Sequence, residues 1–343
     1  MVALVNAEVS DLRLREAIAY HLGWSGTGLP SLSAEPARAA GKKFRTLLAA
    51  LAYETAATAS STVADAAGPV LPFACAVEML HNFTLIHDDI QDGDRARRGR
   101  PSLWTVCGVP QAINVGDCMF ALAVSGLDRL SHHEIGPLDR LDLTSRMARC
   151  TVRLTIGQAM DLADAAPDTM STAGYATMIE GKTAALTSYA AYGGGLLGGG
   201  RELAEHLGEF GRLLGLAFQV RDDMLGIWGS TEETGKPIGS DLVRRKKTLP
   251  VALAFEHADG RDAGWLRAWY SGGTPVDARD IDRIEAILRR HRIRELTQEI
   301  ARDYQEQALA ALADAAARTG LPPTHPPLRA LGEMAEFATE RIR

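Results

Sequence analysis

The sequence lacks several features that would assign a protein class at once. Its 343 residues include only four cysteines (Cys75, Cys107, Cys118 and Cys150), which form no CxxC pair and no metal-ligand spacing. It has no basic surplus, since 43 acidic residues outnumber 37 Lys and Arg, and a net charge of −6 argues against a nucleic-acid-binding protein. No run of about 18 apolar residues is free of charges and glycine clusters, so no membrane span is predicted. With acidic residues near the N-terminus instead of a signal peptide, we expect a cytoplasmic protein with buried, reduced thiols.

What the sequence does contain is helical periodicity. Apolar residues recur three and four apart in residues 281–296 and 300–317, whereas the alternation typical of strands is scarce. Length alone suggests two domains. Because no repeat and no long linker is present, we predict one all-α domain over residues 1–343.

Glycine and proline predict where helices end. No proline lies between Pro167 and Pro237, and we expect two helices there, with the glycines of 193–195 and 198–200 forming the break. Residues 31–36, 273–275 and 321–327 are predicted to be loops.

Two pairs of aspartates follow apolar helical segments. In Asp88-Asp89-Ile90-Gln91-Asp92 the first and last carboxylates are one helical turn apart and project from one face. Such like charges repel each other unless a cation lies between them, and hard carboxylate oxygens suit Mg²⁺ shared with substrate phosphates. The ordinary alternative is an exposed, solvated helix end.

The second pair, Asp222-Asp223, also follows an apolar stripe. If the two helices face each other in a bundle, their carboxylates form a metal cage at one end of an apolar cavity. Two such helices are stronger support for a metal site than one.

Basic residues lie close to both pairs in the sequence, at 95–100 and 244–247, and further cations lie at 41–45, 182 and 236. Each could pair with a nearby acid. Together, carboxylates that hold Mg²⁺ and nearby Arg or Lys side chains can bind a diphosphate. Spacing alone does not bring these groups together.

These motifs resemble, in order, those of the polyprenyl synthetase family, the head-to-tail (trans) isoprenyl diphosphate synthases. Residues 88–92 resemble the first DDxxD motif, and Asp222-Asp223 the start of the second, although Gly226 stands at its last aspartate. The other matching segments, within about residues 41–250, are GKKFR at 41–45, VEMLH at 77–81, RRG at 97–99, GQAMD at 157–161, Lys182-Thr183, Phe218-Gln219, Lys236, and Asp241 with Lys246 and Thr248.

The resemblance implies a single all-α helical bundle of the isoprenoid synthase type around a central active-site cavity, and a homodimer. It also implies a reaction. An allylic diphosphate ionises with the help of three Mg²⁺ ions, with Mn²⁺ as an alternative, and isopentenyl diphosphate attacks the resulting cation.

The resemblance further implies a role for each matching residue. The catalytic set is Asp88, Asp92, Asp222, Lys182 and Lys236. The metal set is Asp88, Asp89, Asp92, Asp222 and Asp223. The allylic diphosphate set is Arg97, Lys182, Thr183, Gln219, Lys236 and Lys246. The isopentenyl diphosphate set is Lys42, Arg45, His81 and Arg98, where a core histidine is the alternative for His81. Gln158 and Asp161 are supporting polar groups, and His87 is structural.

Product length is expected to depend on the helix before the first motif. Phe83 lies about 7.5 Å below Asp88 along that helix, where a bulky ring forms a partial floor; small Thr84 leaves one side open, and Leu80 lies deeper. Within the family, this arrangement implies a medium-chain product, geranylgeranyl diphosphate first and farnesyl diphosphate second. The alternative is that Phe83 packs at a helix or dimer contact and never meets the chain.

Three other functions remain open at this stage. A terpene cyclase or lyase on the same scaffold uses the metals but has no need of a second diphosphate site. A non-catalytic subunit of a heteromeric synthase tends to lose motif aspartates, whereas this chain keeps five of six. A metal phosphohydrolase around His87-Asp88 needs further spaced ligands, which His132-His133 and His206 do not supply convincingly.

Overall fold

The structure is a computed structural model. It describes residues 1–24, 43–60, 68–133, 135–163, 171–230, 239–272 and 276–338. Helices dominate these residues. The strands among them are the two-residue β1 (Ala96–Arg97) and β2 (Arg100–Pro101), which pair antiparallel as a hairpin. The predicted all-α class is confirmed.

The α-helices have the following bounds. They are α1 (Val2–Glu8), α2 (Leu12–Leu22), α3 (Phe44–Ala59), α4 (Val70–Gln91), α5 (Leu103–Cys107), α6 (Val109–Asp128), α7 (Pro137–Leu162), α8 (Thr172–Ile179), α9 (Ala185–Gly199), α10 (Arg201–Trp228), α11 (Ser240–Val243), α12 (Leu249–His257), α13 (Gly260–Ser271), α14 (Ala278–Arg290), α15 (Ile293–Thr319) and α16 (Pro326–Phe337). A 3₁₀ helix covers Arg129–His133, and one π-helical turn, Glu180–Ala184, joins α8 to α9.

The chain divides into two compact units. Unit 1 contains Met1–Ala148 and Tyr189–Glu205, and unit 2 contains Arg149–Ser188 and His206–Arg343. Helices α7, α9 and α10 each contribute residues to both units. A single domain over residues 1–343 stays a prediction.

Helix α4 is the core helix of unit 1 and packs against α3 and α6. By length and composition alone it could cross a membrane, but 56% of its apolar window is buried inside the protein. Phe73, Met79 and Leu80 on this helix have no exposed surface. The apolar run before the first motif is therefore explained by core packing.

The glycines of 193–195 do not break a helix, so that part of the prediction is wrong. They lie inside α9, which ends only at Gly199 before Gly200 with φ +92°. A Cβ at Gly193 would lie 1.9 Å from the ring of Phe73, and one at Gly194 would lie 2.2 Å from the carbonyl oxygen of Ala49. Glycine is needed here because α9 packs closely against α3 and α4.

In unit 2 the predicted helix over 281–296 is interrupted, because α14 ends at Arg290 and α15 begins at Ile293. Arg292, with φ +54°, forms the turn. The apolar spacing continues across it, since Ile287 and Ile293 are both buried, which explains why the sequence pattern conceals the break. The predicted helix over 300–317 is confirmed within α15.

The remaining local predictions have mixed outcomes. The loop predicted for 321–327 ends early, because Pro326 already begins α16. The loops predicted for 31–36 and 273–275 lie outside the described residues. All four cysteines are free thiols, but Cys150 is the one that is buried, so the expectation of buried thiols is wrong for the other three.

Candidate active site

The first aspartate motif lies at the C-terminal end of α4 in unit 1. Asp92 is exposed and Asp88 is half-buried, whereas the side chain of Asp89 is only 2% exposed. Asp89 Oδ1 accepts a hydrogen bond from Arg97 Nε at 2.7 Å and forms an ion pair with Nη2, also at 2.7 Å. The motif therefore separates two accessible carboxylates one turn apart from a buried one that holds an arginine.

The β1–β2 hairpin directly after the motif sets the direction of its arginines. Its turn contains Arg98 with φ +53° and Gly99 with φ +74°, a left-handed conformation that is costly for arginine. A pocket beside the hairpin is lined by Arg97, Arg98 and Arg100, together with Tyr20, His21, Asp89, Pro101, Ser102 and Leu103. Three guanidinium groups around one pocket favour an anionic ligand.

Two uncharged imidazoles lie beside these arginines. Arg45 Nη1 donates to His81 Nε2 at 3.2 Å. Burial lowers the pKa of His81 well below its usual value, and the charges of Arg45 and Arg98 lower it further. Burial also lowers the pKa of His21 to about 3, aided by Arg97. The positive charge of this region therefore comes from the arginines.

Arg45 and Arg98, beside the uncharged His81, form what we call the cationic patch, and a chain of hydrogen bonds ties three helices together near it. Thr46 Oγ1 on α3 donates to Glu78 Oε2 on α4 at 2.9 Å, and Asn82 Nδ2 donates to Glu78 Oε1 at 3.1 Å. His21 Nε2 on α2 donates to Asn82 Oδ1 at 3.1 Å. His21 and Asn82 belong to no predicted site, because they are 61 residues apart and their contact leaves no local pattern in the sequence.

In unit 2 a glycine-to-glycine contact positions Lys182. A Cβ at Gly157 on α7 would lie 2.4 Å from the backbone nitrogen of Lys182, and one at Gly181 would lie 2.5 Å from the carbonyl oxygen of Arg153. Lys182 lies in the π-helical turn, a feature often found at functional sites. Its Nζ donates to Asp161 Oδ2 at 2.5 Å.

The second motif repeats the division of roles seen in the first. Asp222 is exposed, whereas Asp223 is 2% exposed. Asp223 accepts hydrogen bonds from Tyr175 Oη at 2.6 Å, Gln219 Nε2 at 2.9 Å and the Leu249 amide at 3.0 Å. Burial raises the pKa of Asp223 to about 6, against the effect of these donors. The buried aspartate of each motif thus serves as an acceptor within the fold.

The same network contains two of the sequence-predicted residues and one that was missed. Thr183 Oγ1 donates to Gln219 Oε1 at 2.6 Å, which fixes the amide so that its nitrogen faces Asp223. Tyr175 lies in no motif, and nothing in the sequence indicated it.

Lys246 and Lys247 follow α11 and lie in different environments, the first among carboxylates and the second at backbone carbonyl oxygens. Burial alone would lower the pKa of Lys246, but nearby carboxylates, first that of Asp241, raise it above its usual value. Lys247 Nζ donates to the carbonyl oxygens of Met160 and Asp161 at 3.0 Å each, and so caps the C-terminal end of α7.

The residues expected to control product length lie together in unit 1. The ring of Phe83 packs edge-to-face on His87, with centroids 4.8 Å apart, and lies 5.4 Å from the ring of Phe120 on α6. Thr84 Oγ1 donates to the carbonyl oxygen of His81 at 2.7 Å, and Leu80 is fully buried. His87 thus contacts the ring of Phe83, and its structural role stays a prediction.

Two of the sequence-predicted residues, Lys42 and Lys236, lie outside the described residues. Within the described ranges, no group of three or more His, Cys, Asp or Glu side chains is close enough to hold a metal ion, so the phosphohydrolase alternative gains no histidine cluster there. The accessible carboxylates of Asp88 and Asp92, one turn apart, fit Mg²⁺, which is usually held by one or two carboxylates together with substrate phosphates.

Known proteins resemble the chain along most of its length. A geranylgeranyl diphosphate synthase of Mycobacterium tuberculosis is 39% identical over 308 residues, which cover 88% of this chain and 83% of that protein. A (2E,6E)-farnesyl diphosphate synthase of Mycobacterium bovis is 38% identical over 284 residues, 82% of this chain and 74% of that protein. The crystal structure of a polyprenyl synthetase from Streptomyces coelicolor superposes with a TM-score of 0.80 at 32% identity, covering 98% of this chain and 95% of that one.

The sequence profile described as polyprenyl synthetase matches residues 29–288, which is more than half of the chain. The match spans both aspartate motifs, the arginine hairpin and the π-helical turn. The chain belongs to the polyprenyl synthetase family.

Proposed function

We propose that the chain is a Mg²⁺-dependent head-to-tail prenyltransferase that condenses isopentenyl diphosphate with an allylic diphosphate. The observation that carries this proposal is the cationic patch in unit 1, where Arg45 contacts His81 beside Arg98. The patch is additional to the aspartate motifs, and a reaction on a single diphosphate does not require it. The relatives described above carry the names of synthases that make prenyl diphosphates.

The allylic diphosphate is the substrate that ionises. We assign its binding to Asp88, Asp92 and Asp222 through Mg²⁺, and to Arg97, Lys182, Thr183, Gln219, Lys236 and Lys246. Mg²⁺, three ions with Mn²⁺ as an alternative, supplies Lewis-acid stabilisation of the charge that develops on the leaving diphosphate. Positively charged groups fixed in place stabilise that charge more in the transition state than in the ground state. Asp89 and Asp223 keep Arg97 and Gln219 in position for this step.

Isopentenyl diphosphate is the nucleophile. Its diphosphate binds Lys42, Arg45, His81 and Arg98, and its double bond attacks the allylic carbon. One carbon–carbon bond forms, the carbon–oxygen bond to diphosphate breaks, and the released diphosphate accepts the proton that leaves. An unprotonated His81 nitrogen accepts from Arg45, so the imidazole orients the guanidinium towards this substrate without adding charge.

The product is of medium length, geranylgeranyl diphosphate first and farnesyl diphosphate second. The support is the aromatic group of Phe83, His87 and Phe120, which holds the Phe83 ring in one place at the helix that carries the first motif. A ring that cannot swing aside is a better floor for a growing chain than a mobile one.

The enzyme acts as a cytoplasmic homodimer in this proposal, and residues 1–343 act as one catalytic domain. Support for the dimer comes from large apolar side chains that stay exposed along one stripe of α7: Leu138, Leu141, Val152 and Ile156. Leu138 and Leu141 are three residues apart, and Val152 and Ile156 are four apart, so each pair shares a helix face, and exposed apolar surface marks interaction sites.

One experiment tests the function. Purified protein, Mg²⁺ and labelled isopentenyl diphosphate are incubated with dimethylallyl, geranyl or farnesyl diphosphate, and the labelled products are separated by length. We expect elongation in the presence of a primer, and near-complete loss of turnover in Asp88→Ala and Asp222→Ala. Wild-type turnover in Asp222→Ala would contradict the metal assignment.

Two alternatives are outcomes of the same experiment. A terpene cyclase would incorporate no labelled isopentenyl diphosphate with any primer, and in a parallel incubation without isopentenyl diphosphate it would consume geranylgeranyl diphosphate alone. A non-catalytic subunit would be inactive alone with every primer, although its melting curve is cooperative. The missing aspartate at Gly226 slightly favours the cyclase. The cationic patch argues against it, because a cyclase has no need of a second diphosphate site.

A further inference from the structure

In the second aspartate motif, Gly226 stands where the last aspartate is missing, and another residue of the chain fills the space beside it. Gly226 lies one helical turn after Asp222 on α10, so both positions share a face of the helix. A Cβ at Gly226 would lie 2.1 Å from Oδ2 and 2.6 Å from Cγ of Asp241. The Asp241 carboxyl group therefore fills the space in which a side chain at position 226 would begin.

The local fold holds Asp241 in this place. Gly239, with φ +72°, turns the chain into the short helix α11, where Asp241 is the second residue. Asp241 is 6% exposed, and its carbonyl oxygen accepts from the Lys246 amide at 2.9 Å. The backbone of Asp241 is thus held in place within the turn, and its buried side chain extends from there to the space beside position 226.

The charges around Asp241 belong to the same site. Its carboxylate is the first of those that act on the Lys246 ammonium, followed by Asp223 and Asp222. Lys246 therefore lies among carboxylates from both α10 and α11. The carboxylate of Asp241 on α11 therefore lies beside the same residues that an aspartate at position 226 would contact.

We propose that Asp241 supplies the carboxylate that the second motif lacks at position 226, and that glycine is present there to admit it. Asp222 and Asp241 then form the acidic face of this motif towards Mg²⁺ and diphosphate, with Lys246 as the neighbouring cation. The inference rests on the proposed function for the identity of that ligand. If glycine were needed there only for close packing, Asp241 would serve only as the partner of Lys246, and its substitution would leave the affinity for diphosphate unchanged.

The test exchanges the two residues. The variants are Gly226→Asp, Asp241→Ala, their double variant, and Asp241→Asn, which keeps the shape but removes the charge. Gly264→Asp is the matched control, since Gly264 lies on helix α13 with nothing within 4 Å of an added Cβ. The measurements are the melting temperature and the affinity for inorganic diphosphate in the presence of Mg²⁺, by calorimetry.

We expect Asp241→Asn and Asp241→Ala to weaken diphosphate affinity about tenfold or more, as the loss of supporting groups at a metal site commonly does. Gly226→Asp should bind diphosphate at least as weakly as the Asp241 variants do. It should also melt at a lower temperature than Gly264→Asp, because two carboxylates compete for one space. The double variant should return to within about threefold of the wild-type affinity, since the two changes are coupled.

Three results would overturn the proposal: wild-type affinity in Asp241→Asn, a Gly226→Asp variant that melts and binds as Gly264→Asp does, or a double variant no better than the weaker single variant. Affinity and melting are measured without isopentenyl diphosphate. If the wild-type protein failed to elongate any primer, the proposed function would fail, while the exchange of residues 226 and 241 would still be decided by these measurements.

Discussion

The buried carboxylate of Asp89 forms an ion pair with the partly exposed guanidinium of Arg97, with two nitrogens at 2.7 Å from one oxygen. Asp89 is central in the most recognisable motif of the chain, yet its side chain is directed to an arginine of the following hairpin. The neighbours Asp88 and Asp92 are more accessible. One short motif thus contains residues with different physical tasks, which substitution can separate.

Asp89→Ala is expected to lower stability, whereas Asp92→Ala is expected to leave it almost unchanged. Removing Asp89 leaves Arg97 without its charged partner, and because the Arg97 side chain is 29% exposed, water screens part of the loss; we expect a cost of about 1–3 kcal/mol of unfolding free energy. Asp92 is exposed, so Asp92→Ala should change stability by less than about 0.5 kcal/mol while nearly abolishing turnover. Urea unfolding and a turnover assay on both variants check this. Equal stability losses would contradict the division of roles.

Gly157→Ala is expected to disturb Lys182 without touching its side chain. The added Cβ would meet the backbone nitrogen of Lys182 at 2.4 Å, and backbone cannot move aside as a flexible side chain can. Turnover should fall at least about tenfold, because displacements of about 1 Å at a reacting centre cost this much or more. Gly264→Ala is the control, for which we expect wild-type turnover and a gain of about 0.5–1 kcal/mol in stability. Similar kinetics in both variants would refute the prediction.

The neutral His21 is expected to make stability depend on pH. Burial lowers its pKa to about 3 in the folded state, whereas the unfolded chain takes up the proton near pH 6.5. The folded state therefore loses stability as the pH falls below about 6.5 and approaches 3. Relative to His21→Gln, which cannot take up a proton but can still donate to Asn82, the wild type should lose about 2.5 kcal/mol between pH 7 and pH 4.5. Urea unfolding at both values measures the difference, and a constant difference would contradict it.

Phe83→Ala is expected to lengthen the product by at least one isoprene unit, because the ring is removed from its position below Asp88. Phe120→Ala removes only the neighbour that holds the ring, so we expect a smaller shift towards longer products. Chromatography of the labelled products distinguishes the two. An unchanged product from Phe83→Ala would favour the alternative in which Phe83 serves only as a helix or dimer contact.

The sequence determined the helical class, the family, and the order of the motifs along the chain. It could do so because helical periodicity and the spacing of Asp88 and Asp92 are local properties, expressed within one or two turns. It could not reveal the break at Arg292, because buried apolar residues continue at similar spacing on both sides. It also mistook the glycines of 193–195 for a break, since the need for glycine comes from Phe73 and Ala49, more than 100 residues away.

Tertiary structure alone decided which polar groups work together. Tyr175 meets Asp223 across 48 residues, and His21 meets Asn82 across 61, so neither pairing leaves a pattern in the sequence. The same holds for Gly226: in the sequence it is a missing aspartate, but in the fold Asp241 occupies its place. Hydrogen bonding and steric exclusion act over a few ångströms in space, whatever the separation along the chain, and only the folded chain defines those distances.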